Sequence, residues 1–112
     1  MESIKKTYRF KEVYNHRRSV ANRLLVLYVR NNGMNNNCLG VSISRKVGKA
    51  VVRNRIKRII KEQIRLKEKE LVCGYDLVVV VRAAAGSLQK GEDYKKISES
   101  LQQLLDRQKI VK

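Results

Sequence analysis

The stretch LGVSISRKVGKAVVRNRIKRIIKEQIRL, residues 39–66, joins a strand pattern to a strongly basic helix pattern. Residues 39–45 alternate between aliphatic side chains and small polar ones, as a strand with one buried face does. The aliphatic set is Leu39, Val41 and Ile43, and the small set is Gly40, Ser42 and Ser44. Helical spacing follows from about Lys49 to Leu66. We therefore predict a strand followed directly by a basic helix.

The helix divides into an apolar stripe and a basic face. At about 100° per residue, the aliphatic side chains fall in a stripe roughly 160° wide. This stripe comprises Val52, Ile56, Ile59, Ile60, Ile64 and Leu66. The opposite face comprises Asn54, Lys57, Arg58, Lys61 and Arg65, with Arg53 and Arg55 on its margins. We expect the stripe to pack on a sheet.

The basic face predicts a phosphate-binding surface. Like charges at i, i+3 and i, i+4 destabilise an isolated helix by a few tenths of a kcal/mol per pair. A face that is merely solvated would interleave Glu with Lys, whereas this face has only Glu62 to offset it. A dense stripe of one sign is typical of nucleic-acid binding. Asn54 can both donate and accept, which suits a ribose hydroxyl, a base edge or an ordered structural contact.

The remaining patterns predict an α+β domain. In chain order they are a helix over residues 10–17, a possible short strand over 19–23, a strand over 24–30, an exposed Asn-rich loop over 31–37, a strand over 75–82 and a helix from Glu92. YDLVVVVR, residues 75–82, is apolar on both faces, which favours a central strand. We predict one domain, residues 1–112, built as a two-layer sandwich of helices on a small mixed sheet.

Composition and charge bound the partner. The 112 residues carry 26 Lys and Arg against 10 Asp and Glu, a net charge of +16, which implies a polyanionic partner. The chain has no apolar run long enough for a membrane span and no signal-peptide pattern at its N-terminus. We therefore expect a cytoplasmic protein without membrane contact. Cys38 and Cys73 are expected to be reduced, partly buried thiols, with no disulfide or metal framework.

No pattern predicts a catalytic or metal-binding set of side chains. A protein nuclease needs acids that converge on metal ions, or a His and acid pair. The ten acids are scattered, and Glu92 with Asp93 fits the N-terminus of a helix. His16, beside two arginines, fits a surface or phosphate contact. We expect neither catalytic residues nor metal ligands in this chain.

Three longer stretches carry a family resemblance: SVANRLLVLYV at residues 19–29, RNRIKRIIKE at residues 53–62 and DYKKISESLQQLL at residues 93–105. They resemble the bacterial ribonuclease P protein subunit, and the likeness covers almost the whole chain. The resemblance implies a fold like the second domain of ribosomal protein S5, with a left-handed βαβ crossover through the basic helix. The general rule for such crossovers would favour the opposite hand.

The resemblance also implies a function and its residues. The family protein binds a catalytic RNA, which cleaves the 5′ leader from precursor tRNA with Mg²⁺ that is expected to be held mainly by the RNA. Leader contacts carried over by position are Phe10, Tyr14, Tyr28, Ser42, Arg53, Asn54 and Lys57. Catalytic-RNA contacts are assigned to Arg45, Lys46, Lys49, Arg53, Asn54, Arg55, Arg58, Lys61 and Arg65. The implied partners are these two RNAs, with no obligate protein partner.

Two features depart from the family pattern, and alternatives stay open on the residues alone. Tyr14 stands where Phe is common, and NHRR, residues 15–18, occupies a turn where Gly is usual. Phe10 and Tyr28 fit a hydrophobic core as well as a stacking platform, which a single RNA strand needs beside a basic groove. The small face of Gly40, Ser42 and Ser44 is expected to let a backbone approach. A ribosomal protein and a standalone nuclease are the alternative functions.

Overall fold

The computed structural model describes residues 1–112, which form five strands and three helices. The strands are β1 Glu2–Ser3, β2 Ser19–Ala21, β3 Leu25–Asn31, β4 Cys38–Ile43 and β5 Tyr75–Val81. The helices are α1 Thr7–Asn15, α2 Ala50–Lys67 and α3 Asp93–Arg107. Short 3₁₀ turns follow α2 and β5 at Glu68–Glu70 and Ala83–Ser87. No helix has both the length and the apolar character needed to cross a membrane.

One mixed sheet runs in the order β1-β4-β5-β3-β2. β4 pairs in parallel with both β1 and β5, whereas β3 is antiparallel to β5 and to β2. β5 is the middle strand and is almost entirely buried, as its two apolar faces predict. The Asn-rich segment forms the loop between β3 and β4, as predicted, but Asn31 ends β3 and Asn37 is buried, where its side chain bonds the backbone of Val72 and Tyr75. The predicted α+β class is therefore confirmed.

The main core lies between the sheet and the layer formed by α2 and α3. Alternate residues of β3, β4 and β5, such as Leu27, Leu39 and Leu77, pack against Ile60 of α2 and Leu101 of α3. A smaller cluster on the opposite face contains Val13 of α1 and Val78 of β5. α1 therefore covers part of the second face of the sheet.

The β4–α2–β5 crossover is left-handed, as the resemblance implies. Leu39 belongs to the core on the α2 side, and its carbonyl accepts the N–H of Ile4, just after β1. In a strand of L-residues that points upward with its side chain toward the viewer, the carbonyl of that residue points right. Viewed from α2, β1 thus lies to the right of β4 and β5 to the left. A helix in front of strands that progress leftward makes a left-handed crossover.

Some details of the sequence interpretation are wrong. Leu66, placed in the apolar stripe, is 59% exposed. Gln63 is buried instead and accepts hydrogen bonds from Ser98 and Lys67. Relative to Ile56, the buried residues of α2 span an arc from about −60° at Ile59 to about +80° at Ile64, and Leu66, at about −80°, lies outside this arc. Cys73 is exposed rather than partly buried, although both cysteines are free.

Element ends also differ, and one strand was missed. α1 begins three residues before the predicted position, and β4 ends at Ile43 rather than at residue 45. The possible strand over 19–23 exists as the three residues of β2. β1 was not predicted, because two exposed residues carry no periodic signal and are ordered only by pairing with Cys38 and Leu39.

Candidate nucleic-acid interface

The outward face of α2 is an uncompensated row of cations. Asn54, Lys57, Arg58, Lys61 and Arg65 are all exposed. None of the cations among them lies within salt-bridge distance of a carboxylate. Since the aliphatic stripe fixes α2 on the sheet, these side chains stay directed to solvent. We call this surface the basic face.

The two margins of the basic face have different environments. Arg55 turns toward α3, where its Nε donates to Asp93 Oδ2 at 2.7 Å. About a quarter of its side chain stays exposed, so it can meet a phosphate only at the rim. Arg53 lies on the β4 side of the helix, and its Nε is buried without a hydrogen-bond partner. A buried donor of this kind is costly unless a ligand satisfies it.

A short loop brings three more cations to the start of α2. Arg45, Lys46 and Lys49 are exposed, whereas Val47 between them is buried in the core. The loop presses against Gly86, where an added Cβ would lie 1.6 Å from the Val47 carbonyl oxygen. Only glycine allows this approach. The structure therefore places all nine predicted catalytic-RNA contacts along one continuous stretch, with Arg55 turned partly away from it.

The outer edge of β4 is open beyond its first two residues. β1 pairs only with Cys38 and Leu39, and Ile4 adds one hydrogen bond to the Leu39 carbonyl. Backbone groups of successive strand residues point to alternate sides, so those of Val41 and Ile43 face the same edge as those of Leu39. The groups at Val41 and Ile43 have no neighbouring strand to pair with. This leaves peptide donors and acceptors available beside the basic face.

An aromatic row crosses the other face of the sheet from this edge. Phe10 and Tyr14 project from α1, with ring centroids 6.4 Å apart. Tyr14 meets Tyr28 of β3 edge-on, with centroids 4.9 Å apart and planes at 77°. All three rings are partly buried against the small cluster that contains Val13 and Val78. Each ring therefore contributes to packing and keeps one accessible side, and the stacking role stays a prediction.

Gly40 makes room for the Phe10 ring and is not accessible to a ligand. A Cβ at this position would lie 2.7 Å from two atoms of the Phe10 ring. The sequence predicts that an RNA backbone can approach at Gly40, but the Phe10 ring occupies that space and Gly40 is buried. That expectation is wrong at Gly40, because the helix that follows β1 folds back over this position. Ser42 and Ser44 remain at least partly exposed.

Three adjoining recesses form a groove along the open edge. The recess on the α1 side, about 330 Å³, is lined by Lys5, Thr7, Phe10, Tyr14, Val41 and Ser42. The recess on the α2 side, about 150 Å³, is lined by Val41, Ile43, Arg53, Asn54 and Lys57. A third, about 180 Å³, joins them through Phe10, Val41 and Lys57. We call their union the β4 groove. It brings together six of the seven predicted leader contacts.

Tyr28 is the predicted leader contact that lies outside the β4 groove lining. It sits on β3, two strands from the open edge, and touches the groove through Tyr14. Lys5 and Thr7 line the groove although sequence reasoning did not select them. No local signal distinguishes them from other polar residues near the N-terminus.

A buried carboxylate holds α1 in position. Asp76, at the start of β5, is fully buried and accepts from Arg9 of α1 at 2.7 Å and from Arg30 of β3 at 2.9 Å. Asn32 adds a third bond at 3.1 Å. Burial alone would raise the pKa of Asp76, but the hydrogen bonds from Arg30, Asn32 and Arg9 bring it below its usual value. Its signal in the sequence is one acid inside an apolar strand.

The acidic side chains are dispersed or paired with arginine. No three Asp, Glu, His or Cys side chains come together. The two most buried acids, Asp76 and Asp93, are each engaged by arginine. Asp93 also accepts the N–H of Tyr94 in the first turn of α3. Glu92 and Asp93 therefore lie at the start of that helix as predicted, but Glu92, the N-cap residue, makes no side-chain capping hydrogen bond. His16 is exposed at the end of α1.

The turn after α1 tolerates its unusual sequence at a conformational cost. Arg17 adopts φ of 60°, the left-handed region that a glycine would occupy without strain. A non-glycine residue there costs about 1 kcal/mol. The change from the family pattern at residues 15–18 is therefore accommodated by one strained residue.

Comparison with known proteins identifies the family. A model of the Ribonuclease P family matches residues 1–109. The ribonuclease P protein component of Clostridium botulinum strain Loch Maree is 48% identical over 103 residues, which cover 91% of this chain and 89% of that protein. The corresponding Clostridium kluyveri component is 47% identical over 111 residues, covering 97% and 96%.

Solved structures agree with this assignment. The RNase P protein of Staphylococcus aureus superposes with a TM-score of 0.90 at 34% identity, covering 100% of this chain and 99% of that one. The RNase P protein from Thermotoga maritima gives 0.85 at 31% identity, covering 96% and 97%. Family, relatives and fold thus converge, and the chain belongs to the ribonuclease P protein family, whose members are subunits of a tRNA-processing endoribonuclease.

Proposed function

We propose that this chain binds the catalytic RNA of ribonuclease P through the basic face and holds the 5′ leader of precursor tRNA in the β4 groove. The observation that carries the proposal is the composition of the groove walls. Phe10 and Tyr14 line one wall, and Arg53, Asn54 and Lys57 line the other. A single RNA strand needs aromatic rings for its bases and cations for its phosphates, and this groove offers both.

The groove also supplies hydrogen-bond partners that suit a ribose backbone. Ser42 and Asn54 line its two sides, and the open edge of β4 adds peptide groups at Val41 and Ile43. The 2′-hydroxyl is both a donor and an acceptor, so it can use either kind of group. The buried Nε of Arg53, on the same wall, has no hydrogen-bond partner in the protein and is available to a phosphate oxygen. These contacts are independent of base identity, which suits leaders of varied sequence.

The proposal assigns catalysis to the RNA. The groove is lined by cationic and neutral side chains, whose chemistry does not fit a resident Mg²⁺, since that ion prefers carboxylate and other oxygen ligands. The buried acids are neutralised by arginine. We therefore propose that the RNA holds the Mg²⁺ and that the protein contributes binding and positioning of the precursor.

Cleavage at low Mg²⁺ tests the proposed role. When Mg²⁺ is scarce, we expect the catalytic RNA to cleave precursor tRNA much faster with this chain than without it. The Lys and Arg side chains of the bound protein would replace part of the screening that Mg²⁺ provides between the two RNAs. Rates at a series of Mg²⁺ concentrations measure this. The protein alone is the control and is expected to be inactive. Cleavage by the protein alone would overturn the assignment of catalysis to RNA.

Charge removal on α2 tests the basic face. Arg58→Ala and Arg53→Ala are each expected to weaken binding of the catalytic RNA and to reduce the slope of log K against log salt by roughly 0.7–0.9, the value for one lost phosphate contact. Titrations over a range of salt measure the slope, and melting curves check that folding is retained. Lys95→Ala is the matched control, because Lys95 is an exposed cation on α3, away from this face. Wild-type slopes for both α2 variants would contradict the assignment.

A further inference from the structure

A second cationic surface lies at the opposite edge of the sheet from the β4 groove. The turn between β2 and β3, residues 22–24, packs against α3 and forms a recess of about 340 Å³. Its lining residues include Asn22, Arg23, Lys96 and Gln103. Three strand spacings of about 4.8 Å, or roughly 14 Å, separate β2 from β4. One RNA strand held in the groove therefore does not fill this recess.

Three arginines surround the turn without any carboxylate partner. Arg82 donates to the Asn22 carbonyl and Arg107 donates to the Ala21 carbonyl, each at 2.9 Å. Arg23 projects from the turn and makes no hydrogen bond within the protein. No carboxylate lies within 4.0 Å of any of these guanidinium groups. A carbonyl orients a guanidinium but leaves its charge uncompensated, so both the position and the charge are ready for an anion.

The turn that carries Arg23 is rigidly held. The Asn22 amide donates to the Ser100 carbonyl and to Gln103, and its oxygen accepts from the backbone N–H groups of Leu24 and Leu25 and from the Ser100 hydroxyl. This saturates the side chain of Asn22. The base of the Arg23 side chain is therefore ordered before any ligand binds, which reduces the entropic cost of binding.

Further donors extend the surface along α3. Lys96, Gln103 and Arg107 recur at spacings of seven and four residues and share one face of the helix, over about 16 Å. Glu99 is the one acid in the recess lining, and its carboxylate is 3.9 Å from Lys95. Lys96 lies 3.5 Å from Glu92, one helical turn toward the N-terminus of α3, which offsets part of its charge. Positive charge therefore dominates around the recess.

We infer that this β2-edge surface, formed by Arg23, Arg82, Lys96 and Arg107, binds the phosphodiester backbone of a helical segment of the catalytic RNA. The inference rests on the proposed binding of that RNA through α2 and adds a second, separate contact. No aromatic ring lines the recess, so bases of a single strand have nothing to stack on. Guanidinium and amide donors match the phosphates and 2′-hydroxyls that an RNA helix displays. A protein that binds RNA at both the β4 edge and the β2 edge would hold two RNA segments at a fixed distance and orientation.

Arg23 offers the cleanest test, because its side chain has no role in the fold. Arg23→Gln is expected to reduce the salt slope for binding the catalytic RNA alone by roughly 0.7–0.9, and Arg23→Gln with Lys96→Gln by nearly twice as much. Melting temperatures should equal that of the wild type. Lys95→Gln is the matched control, since Lys95 is 82% exposed on the same helix but outside the recess. Its 3.9 Å contact with the 66% exposed Glu99 is screened by solvent, so the variant should leave the slope unchanged.

Directed cleavage of the RNA provides a second readout. In a Cys73→Ser background, where the remaining Cys38 is buried, an iron chelate on Gln103→Cys is expected to cut an RNA segment that a chelate on Glu62→Cys of α2 does not cut. Wild-type slopes for the Arg23 variants together with no cutting from position 103 would overturn the inference. If Arg58→Ala also left the slope unchanged, the proposed function itself would fail. An effect of Arg23→Gln that required precursor tRNA would assign the surface to that RNA and overturn the present assignment.

Discussion

Asp76→Ala is expected to lower the free energy of unfolding by about 3 kcal/mol, because it removes a buried anion from two arginines. Arg9 of α1 and Arg30 of β3, each 23% exposed, would lose the acceptor that they share, while the direct pair between Arg30 and Glu12 of α1, at 2.6 Å, would remain. Arg30 already has a buried Nε without a partner, so the loss would leave it with more unsatisfied donors. Urea unfolding measures the change. The arginines can still reach water, which limits the cost to the lower end of the range for broken buried pairs.

Two variants control this prediction. Asp106→Ala removes an exposed acid of α3 and should change stability by no more than about 0.5 kcal/mol. Asp76→Asn keeps the shape and one acceptor oxygen, so it should fall between Asp76→Ala and the wild type. A loss below about 1 kcal/mol for Asp76→Ala would show that the arginines find equivalent partners and that Asp76 does not hold α1.

The lowered pKa of Asp76 makes the same contribution dependent on pH. A carboxyl group with a lower pKa in the folded state binds fewer protons there than in the unfolded chain, so its stabilisation is complete above the unfolded pKa of about 3.9. That stabilisation is lost as the pH falls through the folded pKa. Unfolding curves below pH 4 should therefore show the wild type losing more stability than Asp76→Ala does. Parallel losses would contradict the assignment.

Tyr14→Leu is expected to weaken binding of leader-bearing precursor tRNA by about 1–3 kcal/mol, or roughly 5- to 150-fold, while binding of mature tRNA is unchanged. Tyr14 lines the β4 groove and stands at the centre of the aromatic row. Leucine keeps most of the apolar bulk, so the small cluster beneath α1 should survive. The measurement is the ratio of precursor to mature tRNA affinity for holoenzyme assembled with each variant.

Variants of Phe10, Tyr28 and Gly40 distinguish a role in stacking on the leader from a role in packing within the protein. Phe10→Leu should resemble Tyr14→Leu, because both rings line the groove. Tyr28→Leu should cost less, about 0.5–1.5 kcal/mol, since it removes only the edge contact that supports Tyr14. Gly40→Ala removes no aromatic ring, but its Cβ would displace the ring of Phe10. It should therefore also lower the ratio of precursor to mature tRNA affinity. An unchanged ratio in all four variants would mean that the leader lies elsewhere.

The local elements follow from the sequence because their causes are local. Alternation over residues 39–43 and the spacing of Ile56, Ile60 and Ile64 each act within a few residues, and both predict the observed strand and helix. The same spacing separates the basic face from the buried stripe. Family motifs in the chain also indicate the left-handed crossover, which periodicity alone could not supply. Membership in the ribonuclease P family is likewise readable from the sequence.

The groove and the anchoring of α1 depend instead on contacts between residues distant in the chain. The β4 edge is open because β1 stops after two paired residues, and Gly40 is covered because α1 returns over it. Asp76 meets Arg9 and Arg30, which lie 67 and 46 residues away. At the β2 edge, Arg82 and Arg107 likewise bond carbonyls that lie 60 and 86 residues away in the chain. Such convergence arises from the packing of whole elements, on which short-range periodicity carries no information.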